Sequence, residues 1–65
     1  MLVERISMLS GKLNRMELNV TPEEMARYEK GKELIQDVFP KLRPSEREFI
    51  KTGITDEEWN ISFLA

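Results

Sequence analysis

The sequence predicts an α+β fold, an N-terminal β-hairpin followed by three or four short helices, in one small domain spanning residues 1–65. Three observations predict it. Thr21-Pro22-Glu23-Glu24, Ser45-Glu46-Arg47-Glu48 and Thr55-Asp56-Glu57-Glu58 each have the S/T-x-x-E form of a helix-opening capping box. Gly31 and Gly53 each follow a lysine-containing stretch and suit left-handed helix stops. Residues 1–20 contain no such cap and surround a central Gly11. The domain therefore divides into a hairpin over 1–20 and a helical array over 21–65.

The hairpin comes first. Two strands are expected at about 2–9 and 13–20, joined by Ser10-Gly11-Lys12. Placing Leu9 opposite Leu13 sets Ile6 opposite Met16, Leu2 opposite Val20 and Arg5 opposite Glu17. This register puts Leu2, Ile6, Met8, Met16, Leu18 and Val20 on one face and an opposite-charge pair on the other. A one-residue shift opposes Arg5 with Met16 and Glu4 with Glu17, which is worse. A lone hairpin is marginal in water and has two unpaired edges, so it must pack on the helices, pair with another chain, or both.

Helices are expected at about 22–30, 44–52 and 56–63. In each, the cap hydroxyl accepts from the N–H three residues on and the glutamate reaches back; acidic groups in the first turn also favour the helix dipole. Pro22 supplies a pre-set φ at the first helical position. Residues 33–38 suit a shorter helix that Pro40 stops from continuing. Gly31 could otherwise sit within one longer helix, at about 1 kcal/mol. The expected core is Met25, Tyr28, Leu34, Ile35, Val38, Phe39, Leu42, Phe49, Ile50, Ile54, Trp59 and Phe63. The C-terminal Phe63-Leu64-Ala65 is read as closing that core, with an exposed anchor for a partner as the alternative.

Composition bounds the chemistry. Of 65 residues, 40% are hydrophobic, enough to fold. A chain this short buries only roughly 60% of its unfolded surface, and its core rarely yields more than ~3–5 kcal/mol net. Such domains commonly add a staple. The chain has no Cys and no His, so disulfides and Cys/His metal sites are excluded. Asp56-Glu57-Glu58, the densest acidic run, lacks the spacing of an EF-hand loop. Self-association remains, and a homo-oligomer is expected, with Leu2, Val3 and Leu9 as contacts added along a strand edge.

Net charge is −2, from 10 basic and 12 acidic residues. They are evenly mixed along the chain, so no basic tail marks a nucleic-acid or anionic-membrane partner. No apolar run approaches the ~20 residues of a membrane span. The start, Met1-Leu2-Val3-Glu4-Arg5, has no long apolar run of the signal-peptide kind, so a cytoplasmic location is expected.

Catalytic candidates reduce to structural ones. Glu24, Glu48 and Glu58 are explained by capping, and Glu23, Glu46, Asp56 and Glu57 by the helix dipole. Ser45 and Thr55 read as caps, and the usual activated nucleophile pairs require His or Cys. Ser10-Gly11-Lys12 lacks the upstream glycine and strand-to-helix context of a phosphate loop, so it reads as a turn. No catalytic, metal-ligating or cofactor-binding residue is expected, and no cofactor. Helix 44–52, Gly53 and helix 56–63 have helix-turn-helix spacing. The second helix, however, opens on Asp56-Glu57-Glu58 and contains no Arg or Lys, which makes it a poor DNA reader. Lys41, Arg43, Arg47 and Lys51 form the one local basic surplus. They are candidates for contact with a partner or a small anion, against the simpler reading of pairing with neighbouring carboxylates.

The chain also resembles a known group. Glu33-Leu34-Ile35-Gln36, Phe39-Pro40-Lys41-Leu42, Arg47-Glu48-Phe49-Ile50 and Thr52-Gly53-Ile54-Thr55-Asp56-Glu57-Glu58-Trp59 are similar to runs in short, uncharacterised bacteriophage and prophage proteins. Ser10-Gly11-Lys12 and Met16-Glu17-Leu18 are similar to that group's N-terminal part. Arg43 departs from it, standing where a helix-capping Ser is common. The resemblance implies a setting, the cytoplasm of a phage-infected bacterium, and no catalytic or binding residue. With catalysis set aside, the expected function is that of a non-enzymatic interaction protein. It would bind and modulate a host or phage macromolecule as an inhibitor, adaptor or assembly factor. The alternatives are an oligomer that sequesters a nucleotide or anion, and a nucleic-acid-binding regulator.

Overall fold

The computed structural model describes the backbone of residues 1–64 and the side chains of residues 1–61. Two strands, β1 (Leu2–Ile6) and β2 (Leu13–Glu17), form an antiparallel hairpin. Four helices follow: α1 (Pro22–Glu29), α2 (Ile35–Val38), α3 (Pro44–Thr52) and α4 (Asp56–Leu64). This is the α+β architecture expected from the capping signals. The chain packs as one unit, with α3 against β1 and α1 against α2. No helix among the described residues is long and apolar enough to cross a membrane.

The hairpin register differs from the expected one. Leu2 pairs with Glu17, Val3 with Met16, Glu4 with Arg15, Arg5 with Asn14 and Ile6 with Leu13. The slip is three residues, an odd number, so it exchanges which side chains share a face. Val3, Met16 and Leu18 turn inward, whereas Leu2 and Ile6 turn out. The cause is the turn, which begins at Ser7 rather than Ser10. Ser7 N–H donates to Lys12 O at 2.8 Å, and Gly11 N–H donates to Ser7 O at 2.9 Å. The buried Ser7 hydroxyl oxygen accepts from the N–H groups of Leu9 and Ser10, both at 3.1 Å. A serine that satisfies two turn amides outweighs the pairing of leucines that the sequence pattern suggests.

The helix starts fall largely where the caps place them. Thr21 and Glu24 form a complete box on α1, at 3.2 and 2.9 Å. Thr55 and Glu58 do the same on α4, at 3.2 and 3.1 Å. The box expected at Ser45 is not used, because the N-cap of α3 lies two residues earlier. Arg43 is its N-cap, with Pro44 at the first position. Glu46, not Glu48, reaches back to the Arg43 N–H at 2.9 Å. A guanidinium has no acceptor to return the bond, so the box is half made. Pro44 decides the frame: its missing N–H and fixed φ suit the first helical position, whereas a cap at Ser45 would leave it outside the helix. Gly31, with φ +73°, ends α1, which excludes one continuous helix over 22–38.

The core comprises Val3, Leu18 and Val20 from the hairpin and its exit. Met25, Val38, Phe39, Leu42, Phe49, Ile50 and Ile54 complete it from the helical half. Tyr28 and Ile35 are half-buried against it, and the Tyr28 and Phe39 rings meet at 5.9 Å, tilted by 56°. Trp59 is also half-buried. Leu34 departs from expectation: it is 64% exposed, because it occupies the extended N-cap position of α2 rather than its first turn. Phe63 and the expected closure by Phe63-Leu64-Ala65 lie outside the described side chains.

The hairpin and α3 meet at Gly53. This residue caps α3 in the left-handed region, φ 73°, with its N–H donating to Phe49 O at 2.7 Å. A Cβ built there would lie 2.5 Å from Ile6 O and 3.1 Å from Arg5 Cβ. Gly31 has the same φ, yet a Cβ there meets nothing within 4 Å. Alanine at either position costs about 1–3 kcal/mol through backbone strain. Gly53→Ala is expected to lose measurably more in urea unfolding than Gly31→Ala, since it must also push the hairpin away. Equal losses would contradict the contact. Ser7→Ala strands two part-buried turn amides and is expected to cost about 1–3 kcal/mol by the same measurement.

Candidate functional site

Alternation along the strands gives the hairpin two unlike faces. Val3, Arg5, Asn14 and Met16 point toward the helices. Leu2, Glu4 and Ile6 of β1 and Leu13, Arg15 and Glu17 of β2 point away. Directly opposed residues on this outer face are Leu2 with Glu17, Glu4 with Arg15, and Ile6 with Leu13. The middle pair is an ion pair, Arg15 Nε to Glu4 Oε2 at 2.9 Å. The apolar members stay in solvent: Leu2 is 52% exposed, Ile6 61% and Leu13 51%. Met8 and Leu9 continue the exposed apolar character into the turn.

The inward polar residues of the hairpin serve the end of α3. Arg5 Nε donates to Ile50 O at 3.3 Å, Met8 N–H to Thr52 O at 2.9 Å, and Asn14 Nδ2 to Gly53 O at 2.8 Å. These are carbonyls that a helix C-terminus leaves without partners of its own. The cationic Arg5 also lies at the negative end of the helix dipole.

Beside β2 runs a groove of about 510 Å³, walled by Lys12, Arg15 and Met16 on one side and by Asp56, Glu57 and Ile61 of α4 on the other. Glu58 also lines it. Its carboxylate accepts from Asn14 Nδ2 at 2.7 Å, from the Thr55 N–H at 3.1 Å and from the Ser10 hydroxyl. Hydrogen bonding, with Ser10 first and Thr55 next, holds the Glu58 carboxyl below the usual glutamate range. A carboxylate so engaged joins the turn, β2 and α4. It is a poor general acid, which requires a raised pKa. Among the described residues, no group of three acidic side chains is placed to hold a metal ion.

Three of the four basic candidates have acceptors within their own chain. Arg47 Nη1 donates to Phe39 O at 3.4 Å. Arg43 lies 3.7 Å from Glu46, and Lys51 lies 3.9 Å from Glu48. Lys41 is exposed in the α2–α3 connection. Of the candidate oligomer contacts, Leu2 and Leu9 are exposed, whereas Val3 is 2% exposed and belongs to the core. Two features escaped the sequence reading. The Ile6–Leu13 pair was hidden by the assumed register, and Ser7 was the signal that could have found it. The Ser10–Asn14–Glu58 cluster joins residues 44 and 48 positions apart and has no local signal.

Because the Glu58 pKa is lowered on folding, its contribution to stability is present above the unfolded-state pKa. It is lost as pH falls through the folded value. Wild type is therefore expected to lose stability on acidification below about pH 4.3, the unperturbed glutamate pKa. Glu58→Ala is expected to be less stable at neutral pH and to show a shallower decline with acid, read by urea unfolding at neutral and acid pH. Parallel pH curves for the two proteins would contradict this.

No family model, curated protein or solved structure matches the chain.

Proposed function

We propose that this chain is a non-enzymatic interaction protein of the phage type. The outer face of its hairpin docks on a host or phage protein in the bacterial cytoplasm and alters that protein's activity, as inhibitor, adaptor or assembly factor. One observation carries the reading. Leu2, Ile6 and Leu13 stand exposed on a regular two-stranded face whose other side is packed on the core. A domain this small has few apolar groups to leave in water. Exposed apolar side chains grouped on either side of a charged pair suit a protein-docking surface.

The chemistry elsewhere is consistent with binding rather than turnover. The most heavily engaged carboxylate, Glu58, is occupied by three donors within the fold. The anion and nucleic-acid readings have less support. Arg43, Arg47 and Lys51 have acceptors within their own chain, and the groove beside β2 has an acidic wall in Asp56 and Glu57.

A photo-crosslinking residue at Ile6 or Leu13 tests the reading in phage-infected bacteria. A discrete adduct with one other protein is expected from both positions, and none from exposed Lys32. With that partner purified, Ile6→Ser is expected to weaken binding at least about tenfold while leaving the fold intact by circular dichroism. Adducts from all three positions alike, or an unchanged Kd, would defeat the proposal.

A further inference from the structure

The two edges of the hairpin are not equivalent. The hydrogen bonds Ser7 N–H to Lys12 O and Leu18 N–H to Met1 O bracket the ladder. Antiparallel alternation then makes Val3–Met16 and Arg5–Asn14 the bonded pairs between them. The main-chain groups of Leu2, Glu4 and Ile6 therefore face off the β1 edge, and those of Leu13, Arg15 and Glu17 face off the β2 edge. The β1 edge is occupied in part. Met8 N–H is bonded to Thr52 O, the Arg5 guanidinium donates to Glu4 O at 3.0 Å, and Gly53 abuts Ile6 O. On the β2 edge, no backbone bond from outside the hairpin reaches Leu13, Arg15 or Glu17 among the described residues. A groove of about 510 Å³ lies alongside it.

We infer that a second copy of this chain adds its β2 to this edge, antiparallel about a two-fold axis, to make a four-stranded sheet. Charge complementarity identifies the occupant. The outward-facing main-chain groups must bond to one another, which leaves few symmetric registers. One opposes Arg15 to the partner's Arg15, another opposes Glu17 to the partner's Glu17, and others set Leu13 against itself or against Arg15. The register centred on Met16 alone opposes Arg15 to the partner's Glu17, and does so twice. Both side chains are exposed, Arg15 63% and Glu17 74%, and Glu17 also pairs with the Met1 ammonium at 3.0 Å. Arg15 keeps Glu4 on its other side, so the outer face gains a row of alternating charge. On the inner face the axis passes Met16, which is half-buried and shares the groove with the exposed Ile61. This assembly stands independently of the docking face. If that reading also holds, the dimer presents two Ile6–Leu13 pairs on one side of a single sheet.

Sedimentation velocity on the full chain across the micromolar range, with hydrogen exchange of individual amides, tests the inference. Wild type is expected to dimerise, with Arg15 and Glu17 amides protected more strongly as concentration rises. Arg15→Glu alone makes both cross-dimer pairs acidic against acidic, and Glu17→Arg alone makes both basic against basic. Each is expected to raise the dimer Kd at least about tenfold. In an equimolar mixture, the heterodimer of the two variants sets acidic strand positions against basic ones at both pairs, and it is expected to form. A monomeric wild type overturns the inference, as does a dimer whose Arg15 and Glu17 amides exchange freely, or variants that gain nothing on mixing. If a variant fails to fold by circular dichroism, the wild-type exchange result decides. Crosslinks from Ile6 to a different protein are unaffected by any of these outcomes.

Discussion

The architecture depends on how the end of α3 is finished. A helix terminus exposes carbonyls that must find donors, and here the hairpin provides them through Arg5, Met8 and Asn14. The dependence is mutual. A two-stranded hairpin is marginal alone, and this one is held by the helix end it caps. Gly53 allows the approach, because any side chain there would strike the backbone of Ile6. Once that joint is made, Thr55 starts α4 only two residues later, so α4 has to lie beside β2. The groove, and the clamp that Glu58 makes on Ser10 and Asn14, follow from this placement.

The same joint sorts the two sides of the sheet by function. The inner face is committed to packing and to satisfying α3. The β1 edge is occupied in part by Thr52, Gly53 and the Arg5 guanidinium. What remains is the outer face and the β2 edge. The outer face has apolar side chains without cover, and the edge has main-chain groups that no backbone bond from outside the hairpin reaches among the described residues. These are different resources: one favours an apolar protein surface, the other a strand. In the two proposals, the face would serve docking of another protein and the edge strand addition.

Charge contributes to selection more than to stability. The pairs Glu4–Arg15, Arg27–Glu33, Arg43–Glu46 and Glu48–Lys51 are solvent-exposed in part or in full, and such pairs contribute little each. The stabilising weight rests on Phe39, Phe49, Leu18 and Val38, the largest fully buried side chains. On the hairpin, Glu4 stands directly opposite Arg15 and so favours the register that the Ser7 turn fixes.

Local chemistry was legible in the chain. Thr21, Thr55 and Gly53 announce helix ends because a cap is an interaction over three or four residues. The apolar positions 38, 39, 42, 49, 50 and 54 were expected in the core and are buried there. The absence of His and Cys excludes whole classes of chemistry without any structure. Pro44 against Ser45 was the harder local choice, since both mark a helix start and only the frame separates them. The hairpin register was not legible. It turned on Ser7 bonding two turn amides, and those bonds compete with the apolar pairing that the pattern suggests. That choice decided whether Val3 or Ile6 entered the core, and with it the whole outer face. The clamp at Glu58 and the partial loss of the β1 edge to α3 join residues more than forty positions apart. Sequence patterns encode what neighbours along the chain do to one another; contacts at that separation exist only once the backbone has brought them within reach.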